Sequence, residues 1–338
     1  MDVDILKCYD KIQILNETLW ENRIIVPRIE EWLANFREEE KPYALFILSR
    51  MMYFNASNIR CLLKALYRDL YRYPIIEKIR KYNEDTLDED FIEQQFRQEL
   101  NKTRFIGVGN PSESGVHLLY YFRQENKIPK NLFVNTDDVI YQSMRDSGSH
   151  NYGLDECSKV SHFVFIDDLC GSGTQATSDD SNVKRCVKHL KRYVPNAKIS
   201  YLMIFGVKDG VNCVKNSNLY DYVHALVELD ESYKCFGDNS RYFSTEDIKI
   251  KRLSFEVALQ YGKDLVRHMM YKEGWSEQHP YFEELVRHRA LGWGDCQLLL
   301  SLHHNTPDNT LPIIWFDEEK SIWTPIFKRY NKIYDNDY

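Results

Sequence analysis

The segment Ser161–Ile166 constrains the fold more than any other stretch of the chain. Its last four residues, Phe163-Val164-Phe165-Ile166, are apolar without interruption, and they run straight into Asp167-Asp168-Leu169-Cys170-Gly171-Ser172-Gly173-Thr174-Gln175. A strand that is apolar on both faces needs cover on both faces, the condition of a parallel sheet flanked by helices. In such a sheet, ligands sit beyond the carboxyl ends of the strands. Asp167 and Asp168 are acceptors suited to sugar hydroxyls. Gly171 and Gly173 permit positive φ and a close backbone approach. Successive amides in a turn that opens a helix form an anion-binding nest, and the hydroxyls of Ser172 and Thr174 add donors to phosphate oxygens. Taken together, these residues describe a site for a sugar that carries a phosphate.

The surrounding pattern supports a parallel sheet. From Thr103 onward short apolar runs alternate with helical stretches. Strands are expected at Arg104 to Val108, Asn131 to Val134, Ser161 to Ile166, Lys198 to Phe205 and Tyr222 to Leu229, with helices at Val116 to Arg123, Val183 to Tyr193 and Lys208 to Val214. Strands separated by helices imply βαβ units. After Asp230 helices are expected at Phe255 to Tyr271 and Tyr281 to His288, then a strand at Cys296 to Leu302 and a structured Asn/Thr/Pro loop from Asn305 to Pro312.

The first hundred residues read as helix. A helix is expected from Tyr43 to Tyr53. After an N-cap signal at Asn55-Ala56-Ser57, the residues Ile59, Leu62, Leu63, Leu66, Tyr67, Leu70 and Tyr71 form one apolar helical face, which Pro74 is expected to end. Arg60, Lys64, Arg68 and Arg72 recur every four residues on the opposite side. That row is a solvated face or a docking surface for nucleic acid or an acidic partner, and the helix–turn–helix pattern of Tyr43 to Arg72 makes the region winged-helix-like.

The acids and turn resemble the phosphoribosyl-diphosphate (PRPP) motif of type I phosphoribosyltransferases: four apolar residues, two acids, two apolar residues, then a Thr/Gly-rich turn. The resemblance implies that Asp167 and Asp168 hold the ribose 2′ and 3′ hydroxyls and that Gly171, Ser172, Gly173, Thr174 and Gln175 cradle the 5′-phosphate. The family usually has Gly and then Thr where this chain has Thr174 and Gln175. Upstream, Gly107-Val108-Gly109-Asn110-Pro111-Ser112-Glu113-Ser114-Gly115 is similar to the family's pyrophosphate loop, which implies binding roles for Asn110, Ser112, Ser114 and Gly115. A closer resemblance, through Trp32-Leu33, Tyr43 to Tyr53, the acid turn and Asn305 to Pro312, is to phosphoribosyltransferase-like proteins of bacterial anti-phage systems, some encoded beside retrons. It implies an effector acting on nucleotides. It further implies Mg²⁺ if PRPP is used, and a reverse transcriptase with its DNA–RNA hybrid as partner.

Other function classes fit less well. Leu169-Cys170-Gly171-Ser172-Gly173-Thr174 is also similar to the cofactor loop of DNA amino-methyltransferases, but no Pro-Pro occurs to supply their second motif. No Lys follows the glycines as a P-loop requires. The eight cysteines include no C-x-x-C pair, so no zinc ribbon is indicated and no metal ligands are assigned. A net charge of −7 argues against general nucleic-acid binding. No apolar run is long enough to span a bilayer and the N-terminus carries no signal-peptide pattern, so the expected compartment is the cytoplasm.

The expectation is an α/β protein: a mainly parallel sheet of type I phosphoribosyltransferase type at residues 96–338, with a C-terminal elaboration, after an N-terminal all-α region at residues 1–95. Glu228 and Asp230 are expected at the same rim as Asp167, and Met144 to Lys159 is a candidate mobile loop. The second reading is a non-catalytic, sugar-phosphate-sensing or partner-binding protein.

Overall fold

The computed structural model describes residues 3–109, 114–136, 139, 160–244, 247–317 and 322–329. Among them are six strands: β1 (Met52–Phe54), β2 (Thr103–Gly107), β3 (His162–Cys170), β4 (Lys198–Val207), β5 (Tyr222–Leu229) and β6 (Leu300–Leu302). They form a four-stranded parallel sheet, β2-β3-β4-β5, and a parallel pair, β1-β6. The chain divides into two compact units, Arg60–Leu229 on the one hand and Met1–Ile59 with Asp230–Tyr338 on the other. The helices Tyr73–Tyr82 and Glu89–Asn101 fall within the unit Arg60–Leu229, with the four-stranded sheet.

In the unit Arg60–Leu229, β3 is the central strand, and Phe163, Val164, Phe165 and Ile166 are all buried. Alternation sends Phe163 and Phe165 to one face, where they join Tyr201 and Met203 against Val183, Val187 and Leu190 of the helix Asn182–Tyr193 and Val211 and Val214 of the helix Lys208–Asn216. On the opposite face Phe105 packs edge-on to Tyr71 at 5.1 Å and against Phe122 of the helix Ser114–Asn126 at 5.4 Å. Each fully buried side chain of this kind contributes roughly 1.5–3 kcal/mol. Both faces are therefore covered, as the apolar run of β3 demands.

The order of the strands locates the ligand crevice. Phe133 forms a parallel bridge to Phe105 on the edge of β2 away from β3, and the Val134 amide donates to Phe105 O at 3.1 Å. The chain thus steps outward from β2 and later returns to β3 on the other side, after which β4 and β5 continue in that second direction. The reversal lies between β2 and β3, and an open parallel sheet offers its crevice at the carboxyl ends of the strands flanking such a point.

Three local expectations are corrected. Asn131 to Val134 is not a strand: a 3-10 turn at Lys130–Leu132 uses up the segment and leaves the single bridge at Phe133. Pro74 does not end its helix. Ala56–Ala65 passes through a π-helical stretch, Leu66–Arg72, into Tyr73–Tyr82, and the Tyr73 amide donates to Arg68 O. The wider turn makes room for the proline ring, which has no N–H to lose. The helix expected from Tyr43 to Tyr53 spans Lys41–Leu48; the Ser49 hydroxyl then donates to Phe46 O at 2.7 Å, and Met52–Phe54 becomes β1 instead.

The other unit is a helical core around Trp20, Trp32, Leu45, Ile47, Ile313 and Trp315, all buried. Trp32 and Trp323 both donate their indole N–H to Ile313 O, at 2.8 and 3.1 Å. Buried indoles that reach a partner combine apolar burial with a satisfied donor.

Candidate functional site

Asp167 and Asp168 close the unbroken buried run of β3, and alternation points them to opposite faces. Their surroundings differ. Asp167 is 3% exposed, and both its oxygens have partners in the chain: Oδ1 accepts the Asp168 amide at 2.9 Å and Oδ2 accepts the Tyr201 hydroxyl. Burial first, and the neighbouring Asp168 carboxylate second, push the Asp167 carboxyl well above the usual range. Burial, then the charge of Asp167, likewise pushes the Tyr201 phenol up, which keeps its proton in place to donate. Asp168 is 9% exposed, and its Oδ1 accepts the Leu169 amide at 2.8 Å. The sequence reading gave the two acids one task; the structure gives them different settings.

Beyond Cys170 the chain makes the turn Gly171-Ser172-Gly173 and enters a single helical turn, Thr174–Thr177. Gly173 has φ +78°, the left-handed conformation glycine adopts at least cost. The Ser172 and Thr174 hydroxyls hydrogen-bond each other at 2.8 Å, and Thr174 and Gln175 are exposed. Among the described residues, the amides of Gly171, Ser172 and Gly173 donate to no acceptor in the chain. Three consecutive unmatched donors are unusual, because an unmade hydrogen bond on a largely buried backbone costs on the order of 1–3 kcal/mol each. Beside two acids, such a run of amides suits an anion.

Register brings the upstream loop to the same edge. Gly107 pairs with Ile166, and the Val108 amide donates to Ile166 O at 3.0 Å, so Gly109, at φ +107°, lies level with the acids. Ser114 and Gly115 begin the helix Ser114–Asn126. Asn110, Ser112 and Glu113 lie outside the described residues, as does the segment Met144 to Lys159.

Two features of the site were missed in the sequence. Gly210 supports the turn from behind: a Cβ there would stand 1.9 Å from Gly171 O. The readable signal was a glycine in the first turn of a helix, where most residues cost less. Tyr201 and Tyr220 lie under the site with ring centroids 5.2 Å apart, and the Tyr220 hydroxyl donates to Ala176 O at 3.0 Å. Tyr201 lies inside the mainly apolar run Ile199 to Phe205, which signals a buried hydroxyl that needs a partner; Tyr220, between Asn218 and Asp221, carries no such signal.

Other sequence candidates resolve into structure. Arg60 and Lys64 both pair with Glu125, at 2.7 and 2.8 Å, Arg68 pairs with Asp69 at 2.6 Å and Arg72 with Glu93 at 2.7 Å. Arg60 and Lys64 share the one carboxylate of Glu125, and Arg72 shares Glu93 with Arg97, so the basic row is paired within the chain but keeps more positive than negative charge. Asp230 caps the turn Glu231–Tyr233, accepting the Ser232 amide at 2.9 Å, and Glu228 is exposed on β5. The Asn305 to Pro312 loop, for which the sequence offered no role, is bonded to the chain around it: the Thr310 hydroxyl donates to Leu300 O, and Asn309 Nδ2 donates to Trp293 O at 3.0 Å. Among the described residues no helix is long and apolar enough to cross a membrane, and no cluster of three metal-ligating side chains occurs.

A family model described as PRTase-CE matches residues 29–329, nearly the whole chain. No curated protein and no solved structure matches it.

Proposed function

The chain belongs to the PRTase-CE family, whose character is phosphoribosyltransferase-like, and from that premise we propose that the β3 turn binds the 5′-phosphate of a ribose whose C1 carbon undergoes substitution. One observation carries the reading: three consecutive amides, Gly171 to Gly173, have no acceptor among the described residues and stand beside Asp167 and Asp168 at the strand-order reversal. The amides and the Ser172 and Thr174 hydroxyls grip the phosphate. Asp168 accepts from the ribose hydroxyls, and Asp167 holds Asp168 in place through its amide.

The substrate is PRPP or a nucleotide. The C1–O bond to pyrophosphate, or the C1–N bond to a nucleobase, breaks with its electron pair leaving on the departing group, and an incoming nucleophile supplies the new pair. The transition state is oxocarbenium-like, so positioning and fixed charge carry the catalysis rather than a covalent intermediate. Magnesium commonly binds through one or two carboxylates together with substrate phosphates. Asp168, whose neighbour Asp167 has both oxygens engaged within the chain, would be the carboxylate to hold such an ion, and the ion would neutralise pyrophosphate charge.

The proposal extends to biology: an antiviral effector, held in check by a reverse transcriptase and its DNA–RNA hybrid. The anti-phage resemblance supports that step alone. Mass spectrometry of small molecules released from the purified protein tests the chemistry. A pentose phosphate or nucleotide, lost on replacing Asp167 and Asp168 with Asn, is expected; recovery of S-adenosyl-methionine in its place refutes the reading.

A further inference from the structure

Behind the turn, two buried tyrosines reach different parts of it. Tyr201, on β4, donates its hydroxyl to Asp167 Oδ2; Tyr220, just before β5, donates to Ala176 O at 3.0 Å, in the helical turn Thr174–Thr177. The rings pack on each other at 5.2 Å, and Phe165 stands edge-on to Tyr220 at 6.0 Å. Tyr201 is 1% exposed and Tyr220 7% exposed, so neither hydroxyl is placed to meet a ligand directly. Each acts through what it holds. Asp167 Oδ1 accepts the Asp168 amide, so fixing Asp167 fixes the backbone from which Asp168 projects. The Thr174–Thr177 turn is tied at its other end by the Thr177 hydroxyl, which donates to Gly173 O at 2.9 Å. Fixing Ala176 therefore fixes Gly173 and the amides that precede it.

We propose that the tyrosine pair divides the site into two separately positioned halves: Tyr201, through Asp167, sets the sugar-binding Asp168, and Tyr220 sets the phosphate-binding turn. The inference rests on the sugar-phosphate reading of the turn and adds to it which residue governs which part of the ligand. Tyr201 and Tyr220 are positioning residues, and the separation follows from geometry, since the two hydroxyls share no acceptor.

Isothermal titration of the full chain with two probes, inorganic phosphate and ribose 5-phosphate, tests this. Inorganic phosphate meets only the turn; ribose 5-phosphate meets turn and acids. Tyr201→Phe removes one hydroxyl with little change of volume. Its expected effect is about a tenfold loss of ribose 5-phosphate affinity with phosphate affinity unchanged, and the retained phosphate binding shows that the variant is folded at the turn. Tyr220→Phe is expected to weaken both probes by the same factor. If Tyr201→Phe weakens both equally, or neither, the division is wrong while the site reading stands. Wild-type protein that binds phosphate but not ribose 5-phosphate overturns the sugar-phosphate reading itself, and the inference with it.

Discussion

Two turns of this molecule are rich in small polar residues and have opposite fates. Gly171-Ser172-Gly173-Thr174 leaves three backbone amides without an acceptor among the described residues. The turn from Asn305 to Pro312 directs its polar groups inward. Thr306 and Thr310 are buried; the Thr306 hydroxyl contacts Ser301 Oγ at 2.8 Å and donates to Lys328 O at 3.0 Å, and Trp315 donates its indole N–H to Thr310 O at 2.7 Å. Arg329 closes it, donating to Thr306 O at 2.9 Å and pairing with Asp308 at 3.0 Å. Small polar residues in a turn do not mark a binding site by themselves. What distinguishes a site is donor capacity that the fold leaves unmatched.

The sharpest way to break this comparison is a pair of glycine replacements. At Gly292 a Cβ would stand 2.2 Å from Asn309 O, on a backbone with φ +98°. Gly292→Ala is expected to destabilise the protein by about 3 kcal/mol, seen as a lower denaturation midpoint. Gly210→Ala crowds Gly171 O at 1.9 Å. Its expected signature is different: phosphate binding lost by about a hundredfold as the turn is displaced, with a smaller change in midpoint. Equal stability losses with binding preserved in Gly210→Ala would erase the distinction between the two turns.

A third prediction separates the two ends of β3. At its amino end His162 is held down to about 4, by burial first and then by the nearby charge of Lys198, and its Nε2 lies 2.7 Å from Ser200 Oγ. The unfolded chain takes up this proton near the ordinary value of about 6.5. Stability is therefore fully present above that value and is lost as pH falls from about 6.5 to about 4, by about 2 kcal/mol once the ring's partial exposure is allowed for. Denaturation at stepped pH should show that slope, and His162→Gln should flatten it. Smaller still, Thr310→Val leaves Leu300 O without its donor and should cost about 1 kcal/mol of stability with no effect on phosphate binding. Ser172→Ala should do the reverse, weakening phosphate about fivefold with stability unchanged.

Much of this was legible in the sequence, and the reasons are specific. Phe163 to Ile166 announce a strand buried on both faces, and β3 is that strand with helices on each side. The acids and the Gly171–Gly173 turn announce their own position, because strand ends and positive φ follow from local chemistry. The remainder depends on residues distant in sequence. That Asp167 faces Tyr201, that Gly210 lies against Gly171, and that Glu125 pairs with both Arg60 and Lys64 are facts of packing which no local pattern encodes. The passage of helix through Pro74 was illegible for a related reason: the π-helical stretch Leu66–Arg72 resets the register that the proline would otherwise break.

The central claim is that the amides of Gly171, Ser172 and Gly173 await an anion. Following the backbone amide resonances of the labelled chain while inorganic phosphate is added tests it most directly. The account predicts that these three resonances shift together and saturate at one phosphate per chain. Resonances that stay fixed while shifts gather elsewhere would contradict it.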